Sequence, residues 1–106
     1  MNARLQDILA ELRHRFEALY GPRLVRMVLY GSQARGDAEP GSDIDVLVVL
    51  TGDVDPRREV DRTLDDVVAL SLAHDVVISC IFMDGHRFRH RNGPLLRNVR
   101  REGVAI

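Results

Sequence analysis

Apolar residues near the start of the chain recur at helical spacing. Leu5, Ile8, Leu9, Leu12, Phe16 and Leu19 fall on one side, which predicts an amphipathic helix over residues 2–20. Gly21-Pro22 ends it. Residues 24–30 are mostly apolar and β-prone, and predict a strand that delivers the chain to Gly31. Residues 32–35 predict a short helix, and the Ala-Glu-Pro-Gly-Ser stretch at 38–42 a turn. The nearly unbroken apolar run over residues 44–50 predicts a second strand, buried on both faces beyond Asp45.

In the second half, Asp55-Pro56 supplies an N-cap with proline at the first helical position. Val60, Leu64, Val67, Val68 and Leu72 mark one face of the helix that follows, which ends near Ala73. Residues 76–82 predict a third strand. Beyond Asp84-Gly85 a short polar helix or turn carries Arg87 to His90. Gly93-Pro94 opens a last helix that turns Leu95, Leu96 and Val99 to the core. Helices and strands alternate, with too few strands for a doubly wound fold. The expected class is α/β (α+β): one domain over residues 1–106, a small mixed sheet covered by helices.

Composition narrows the setting. A chain of 106 residues with 45% hydrophobic and 29% charged content suits one soluble domain with a modest core. A net charge of −1, with two tyrosines and three phenylalanines for stacking, argues against direct nucleic-acid binding. One cysteine allows no intrachain disulfide, which points to a reducing compartment. No stretch approaches a membrane span and residues 1–12 lack the apolar centre of a signal peptide. The expectation is cytoplasmic.

The chemistry concentrates in Gly31-Ser32-Gln33-Ala34-Arg35-Gly36-Asp37 and Ser42-Asp43-Ile44-Asp45-Val46. A small-residue turn after an apolar strand presents backbone N–H groups and a hydroxyl to a phosphate. Asp43 and Asp45, two apart on a strand, point to the same face. Two neighbouring carboxylates repel unless a cation lies between them, and hard oxygen ligands with room for phosphates suit Mg²⁺. Arg35 lies one helical turn past Ser32, where it either meets a phosphate or makes a surface salt bridge. Ser42 caps the turn and orients Asp43. Cys80, inside an apolar strand, is expected to be a buried inert thiol. His14, His74, His86 and His90 lack zinc-site spacing. The basic cluster of residues 86–91 with Arg97, Arg100 and Arg101 reads as a solvated face, or as a surface for an acidic partner or for the surroundings of a bound phosphate ligand.

Gly31-Ser32, ten intervening residues and Asp43-Ile44-Asp45 resemble the signature of the polymerase-β-like nucleotidyltransferase superfamily. The Gly-Ser-x-Ala-Arg-Gly form, the short length and the closing stretch 94–103 resemble its minimal nucleotidyltransferase (MNT) branch. The resemblance implies a nucleotidyltransferase fold and Mg²⁺-dependent transfer of a nucleoside monophosphate, AMP from ATP, to a hydroxyl. It gives Asp43 and Asp45 two metal ions to hold, and Gly31, Ser32 and Arg35 the triphosphate. It also implies a helical HEPN-type partner, toward which the chain acts as an antitoxin. So short a chain leaves the acceptor site to a second protein or a second copy. Active superfamily members carry a third carboxylate on the next strand, and here Val77 aligns with it. Asp75, two residues earlier and about 6–7 Å back along a strand, either substitutes for it or caps the preceding helix. If nothing replaces it, the chain is a weak or inactive enzyme that neutralises its partner by contact.

Overall fold

In the computed structural model, which describes residues 2–106, four strands form one sheet in the order β3-β2-β1-β4. They are β1 (Leu24–Tyr30), β2 (Ile44–Leu50), β3 (Ile78–Asp84) and the two-residue β4 (Val104–Ala105). β1 runs antiparallel to β2 and β4, while β2 and β3 are parallel. The sheet is therefore mixed, as expected, and β2 lies inside it. Val46 to Leu50 are each at most 1% exposed, in keeping with their unbroken apolar run.

Strand alternation divides the core. On one face Met27, Leu29, Ile44, Val46, Val48, Leu50, Ile78 and Phe82 pack beneath α1 (Ala3–Tyr20), which contributes Leu5, Ile8, Leu9, Leu12, Phe16 and Tyr20. On the other, Val28, Leu47, Val49 and Met83 meet Leu96 and Val99 of α5 (Pro94–Glu102). Asn2 caps α1 by accepting from the Leu5 N–H at 2.7 Å. Leu19, expected on the packed side, is 40% exposed; Tyr20 is buried in its stead.

The largest departure concerns α3 (Pro56–His74), between the parallel strands β2 and β3. Its cap is as read: the Asp55 side chain accepts from the Arg57 N–H. Its apolar face, however, turns outward. Val60, Leu64, Val68 and Leu72 are 45%, 50%, 44% and 78% exposed, with Val67 half-buried, whereas Glu59, Thr63 and Leu70 are buried. Hydrogen bonds make the polar interior tolerable. The Tyr20 hydroxyl donates to Glu59 Oε1 at 2.8 Å, and the Thr63 hydroxyl donates to the Glu59 carbonyl at 2.8 Å. Burial, then the Glu59 hydrogen bond, push the Tyr20 hydroxyl pKa up.

β3 begins two residues later than its composition predicts. α3 runs on to His74, and Asp75, with φ +53°, closes it: the Asp75 and Val76 N–H groups both donate to the Ser71 carbonyl. That reversal uses residues the apolar pattern assigns to the strand. The strand then extends to Asp84, whose carboxylate caps the short helix α4 (Gly85–His90) through the Arg87 N–H at 2.8 Å. β4 has no signal in the apolar pattern. Two residues suffice because α5 ends directly over β1, where Val28 and Leu29 pair with Ala105 and Val104.

Candidate active site

The turn after β1 is built from three local facts. β1 ends at Tyr30, Gly31 takes φ +77° and ψ −159°, and α2 (Ser32–Arg35) follows at once. That backbone region is essentially open to glycine alone. Space is equally restrictive, because a Cβ on Gly31 would lie 2.5 Å from Asp45 Oδ2. Tyr30 pairs with Asp45 across the β1–β2 ladder, so the turn sits on the second residue of β2. Within α2 the Ala34 and Arg35 N–H groups donate to the Gly31 carbonyl, and the Gly36 and Asp37 N–H groups donate to the Ser32 carbonyl.

Asp43 lies just before β2 and is exposed, while Asp45 is half-buried within it. Asp45 alternates with Leu47 and Val49, which places it on the α5 face of the sheet. Burial raises the Asp45 carboxyl pKa, the neighbouring Asp43 raises it further, and Arg35 pulls the other way. The two aspartates therefore feel one another. Tyr30 shows the same field: burial first, then Asp45, push its hydroxyl up to about 12. The Ser42 N–H donates to the Glu39 carbonyl, and Gln33 Nε2 donates to the Ser42 carbonyl at 3.3 Å. The loop before Asp43 is thereby tied to α2, by the backbone of Ser42.

Arg35 is 46% exposed and makes two ion pairs. Its Nε donates to Asp37 Oδ2 at 3.2 Å, and its Nη1 to Glu102 Oε1 at 3.1 Å. Asp37 and then Glu102 hold its pKa above the usual value. Glu102 was not anticipated: it lies at the end of α5, 71 residues beyond Gly31, whose N–H donates to its Oε1 at 3.3 Å. The closing stretch of the sequence carried the only signal for it.

Val77, which the sequence resemblance aligns with a third carboxylate, carries none. Ser79 pairs with Asp45 across the β2–β3 ladder. Val77, whose carbonyl accepts from the Ile44 N–H at 2.9 Å, is 56% exposed. Asp75 precedes β3 in a left-handed conformation at the end of α3, so strand alternation does not carry it to the face of Asp43 and Asp45. It lines instead a cavity of about 440 Å³ with Leu5 and Ile8 of α1, Gln33, Ser42, Ile44 and Val77, toward the α1 face of the sheet and not the face of Asp45. Among the described residues no group of three or more His, Cys, Asp or Glu side chains could hold a metal.

Other candidates resolve into structural parts. Burial pushes the Cys80 thiol up to about 12, which keeps it protonated. His74 Nε2 lies 3.0 Å from Glu11 Oε2. In the basic cluster Arg100 donates to Asn92 Oδ1 and to the Phe88 and Arg91 carbonyls, which ties α4 to α5. Among the described residues no helix is long and apolar enough to cross a membrane.

A model of the nucleotidyltransferase domain matches residues 9–97. The chain belongs to this nucleotidyltransferase family. A curated relative from Methanocaldococcus jannaschii, named "Putative protein adenylyltransferase", is 36% identical over 102 residues, which span 95% of this chain and 96% of the relative. A solved "putative minimal nucleotidyltransferase" shares 24% identity at a TM-score of 0.62, covering 100% of this chain and 97% of its own. A Shewanella oneidensis structure, described as a tri-AMPylated HEPN toxin in complex with MNT antitoxin, matches at a TM-score of 0.56 and 20% identity, over 96% of this chain and 67% of that one. The structural matches concern the fold; with the family match they agree with the MNT resemblance of the sequence. This chain is a nucleotidyltransferase enzyme.

Proposed function

We propose that this nucleotidyltransferase transfers AMP from Mg²⁺–ATP to a hydroxyl on a helical HEPN-type protein, and so acts as the antitoxin of a two-component module. The observation that carries the reading is the Gly31 turn seated on Asp45. It brings Ser32 and Arg35 of α2 to the end of β1 that Asp45 faces, with Asp43 and Arg35 close enough to shift the Asp45 carboxyl. Asp43 and Asp45 fit the metal: hard oxygens on one face, each raising the cost of ionising the other. When bound, Mg²⁺ neutralises charge on the phosphates. Ser32 and Arg35 hold the β- and γ-phosphates, and Gly31 lets the backbone approach them. The acceptor oxygen bonds to the α-phosphorus, the bond to the pyrophosphate oxygen breaks, and the hydroxyl proton leaves to solvent. The relative named an adenylyltransferase supports the adenylyl group, and the MNT–HEPN complex among the structural neighbours supports the partner.

The test is transfer of label from α-³²P-ATP to a co-expressed HEPN-type protein. The wild type is expected to label a tyrosine on it only with Mg²⁺ present, and Asp43→Asn with Asp45→Asn is expected to label nothing. A second reading, neutralisation by contact with little turnover, is favoured by the missing third carboxylate. Tight partner binding and neutralisation without any label would select it.

A further inference from the structure

We infer that Glu102 is a positioning residue of the nucleotide site, one that aims Arg35 at the bound triphosphate and braces the Gly31 turn. The inference rests on the nucleotide reading given above. It begins with a carboxylate in a place that helix formation does not favour. The last turn of a helix stabilises cations, and a carboxylate there faces the negative end of the macrodipole. The partners of Glu102 must therefore come from elsewhere in the fold, and both belong to the phosphate turn.

The placement is over-determined by the residues that follow. A Cβ on Gly103 would lie 2.4 Å from the Val99 carbonyl and 2.6 Å from Val28 Cγ1, so α5 ends pressed against β1. Val104 then pairs with Leu29, and the Ile106 N–H donates to the Met27 carbonyl at 3.0 Å. β1 is the strand that delivers Gly31. Glu102 is thus fastened to the same strand as the turn it touches.

Its contacts divide the work. Oε1 accepts from the Gly31 N–H at 3.3 Å and from Arg35 Nη1 at 3.1 Å, and Oε2 accepts from Arg35 Nη1 at 3.3 Å. The Glu102 side chain is only 12% exposed, against 46% for Arg35. A largely buried carboxylate therefore holds an exposed guanidinium. With Nε on Asp37 and Nη1 on Glu102, Nη2 has no hydrogen-bond partner among the described residues and is the nitrogen left for a phosphate oxygen. An arginine ordered before binding loses less side-chain freedom when the ligand arrives. Glu102 joins no metal-binding cluster with Asp43 and Asp45, so its action runs through Arg35 and Gly31.

The experiment is calorimetric titration of Mg²⁺–ATP into wild type, Glu102→Ala, Glu102→Gln, Arg35→Ala and the Glu102→Ala/Arg35→Ala double variant, each with its melting temperature. Glu102→Ala is expected to weaken binding about ten-fold or more. Glu102→Gln keeps an acceptor oxygen and is expected to stay within about three-fold of wild type. Because part of the effect passes through Arg35, the double variant is expected to bind more tightly than the product of the two single losses predicts. A brace that only stabilised the fold would lower the melting temperature without that coupling. Wild-type or tighter affinity in Glu102→Ala overturns the inference, the tighter case marking the carboxylate as a plug in the phosphate site. Independent, additive losses overturn it also. Absence of Mg²⁺–ATP binding by the wild type would instead bring down the nucleotide reading itself.

Discussion

Gly31→Ala tests the phosphate turn at its most constrained atom. The perturbation has two separable parts. At φ +77° and ψ −159° an alanine is strained, at about 1–3 kcal/mol. Independently, the new Cβ would stand 2.5 Å from Asp45 Oδ2, so the carboxylate must swing away or β2 must shift. β2 is packed on both faces, so the carboxylate is what moves. The expected result is a melting temperature lower by about 5–20 °C and Mg²⁺–ATP affinity reduced by about ten-fold or more. Gly52→Ala is the matched control. Gly52 has the same φ of +77° but nothing within 4 Å of an added Cβ. It should lose about 1–2 kcal/mol of stability and no affinity. Thermal melts and titration calorimetry on both variants give the comparison. If Gly31→Ala bound Mg²⁺–ATP as wild type does and melted like Gly52→Ala, the seating of the turn on Asp45 would be irrelevant to the ligand.

Asp45→Asn should abolish the Mg²⁺ dependence of ATP binding while raising stability near neutral pH. Its folded pKa is raised, so the native state holds the proton more tightly; wild-type stability falls as pH climbs from the ordinary aspartate value through the raised one, and denaturant melts should show the Asn variant's advantage vanish in acid. Tyr20→Phe removes the 2.8 Å bond to buried Glu59 and should cost about 1.5–3 kcal/mol in urea titrations; an unchanged midpoint would mean that water satisfies Glu59 equally well. Asp75→Asn should leave labelling of the partner unchanged, since asparagine tolerates the left-handed cap. Val77→Asp, at a position 56% exposed, should fold as the wild type does and raise the labelling rate; a large fall in melting temperature would refute the exposed placement of residue 77.

Legibility in the sequence followed the physics of each element. β1, β2, α1 and the Asp43/Asp45 face were readable because periodicity and burial agree there. α3 was misread on its packing because its side chains answer a different question: Glu59 and Thr63 go inward on hydrogen bonds that apolar patterning does not register, and Val60, Leu64, Val68 and Leu72 stay outside. The start of β3 slipped because apolar Val76 and Val77 read as strand, while the left-handed Asp75 ends α3 late. The place of Glu102 in the site went unread for a third reason. Its role depends on a contact across 71 residues, and no local spacing encodes that.

That long contact also sets an order of assembly. β1 and β2 are joined by residues 31–43, which include α2, and pair as antiparallel neighbours, so their loop-closure cost is modest. The return of α5 and β4 to β1 must close a far longer loop before any contact rewards it. Asp45 is therefore expected to reach its place on the sheet early in folding, and the N–H of Gly31 to find Glu102 late. Pulsed hydrogen exchange during refolding reads this directly, with amides of β1 and β2 protected ahead of the Gly31 amide. Simultaneous protection would show that the hairpin waits for the far end of the chain. In kinetic terms, the carboxylates are laid down by local pairing, and the arginine beside them takes its final aim only when the sheet gains its fourth strand.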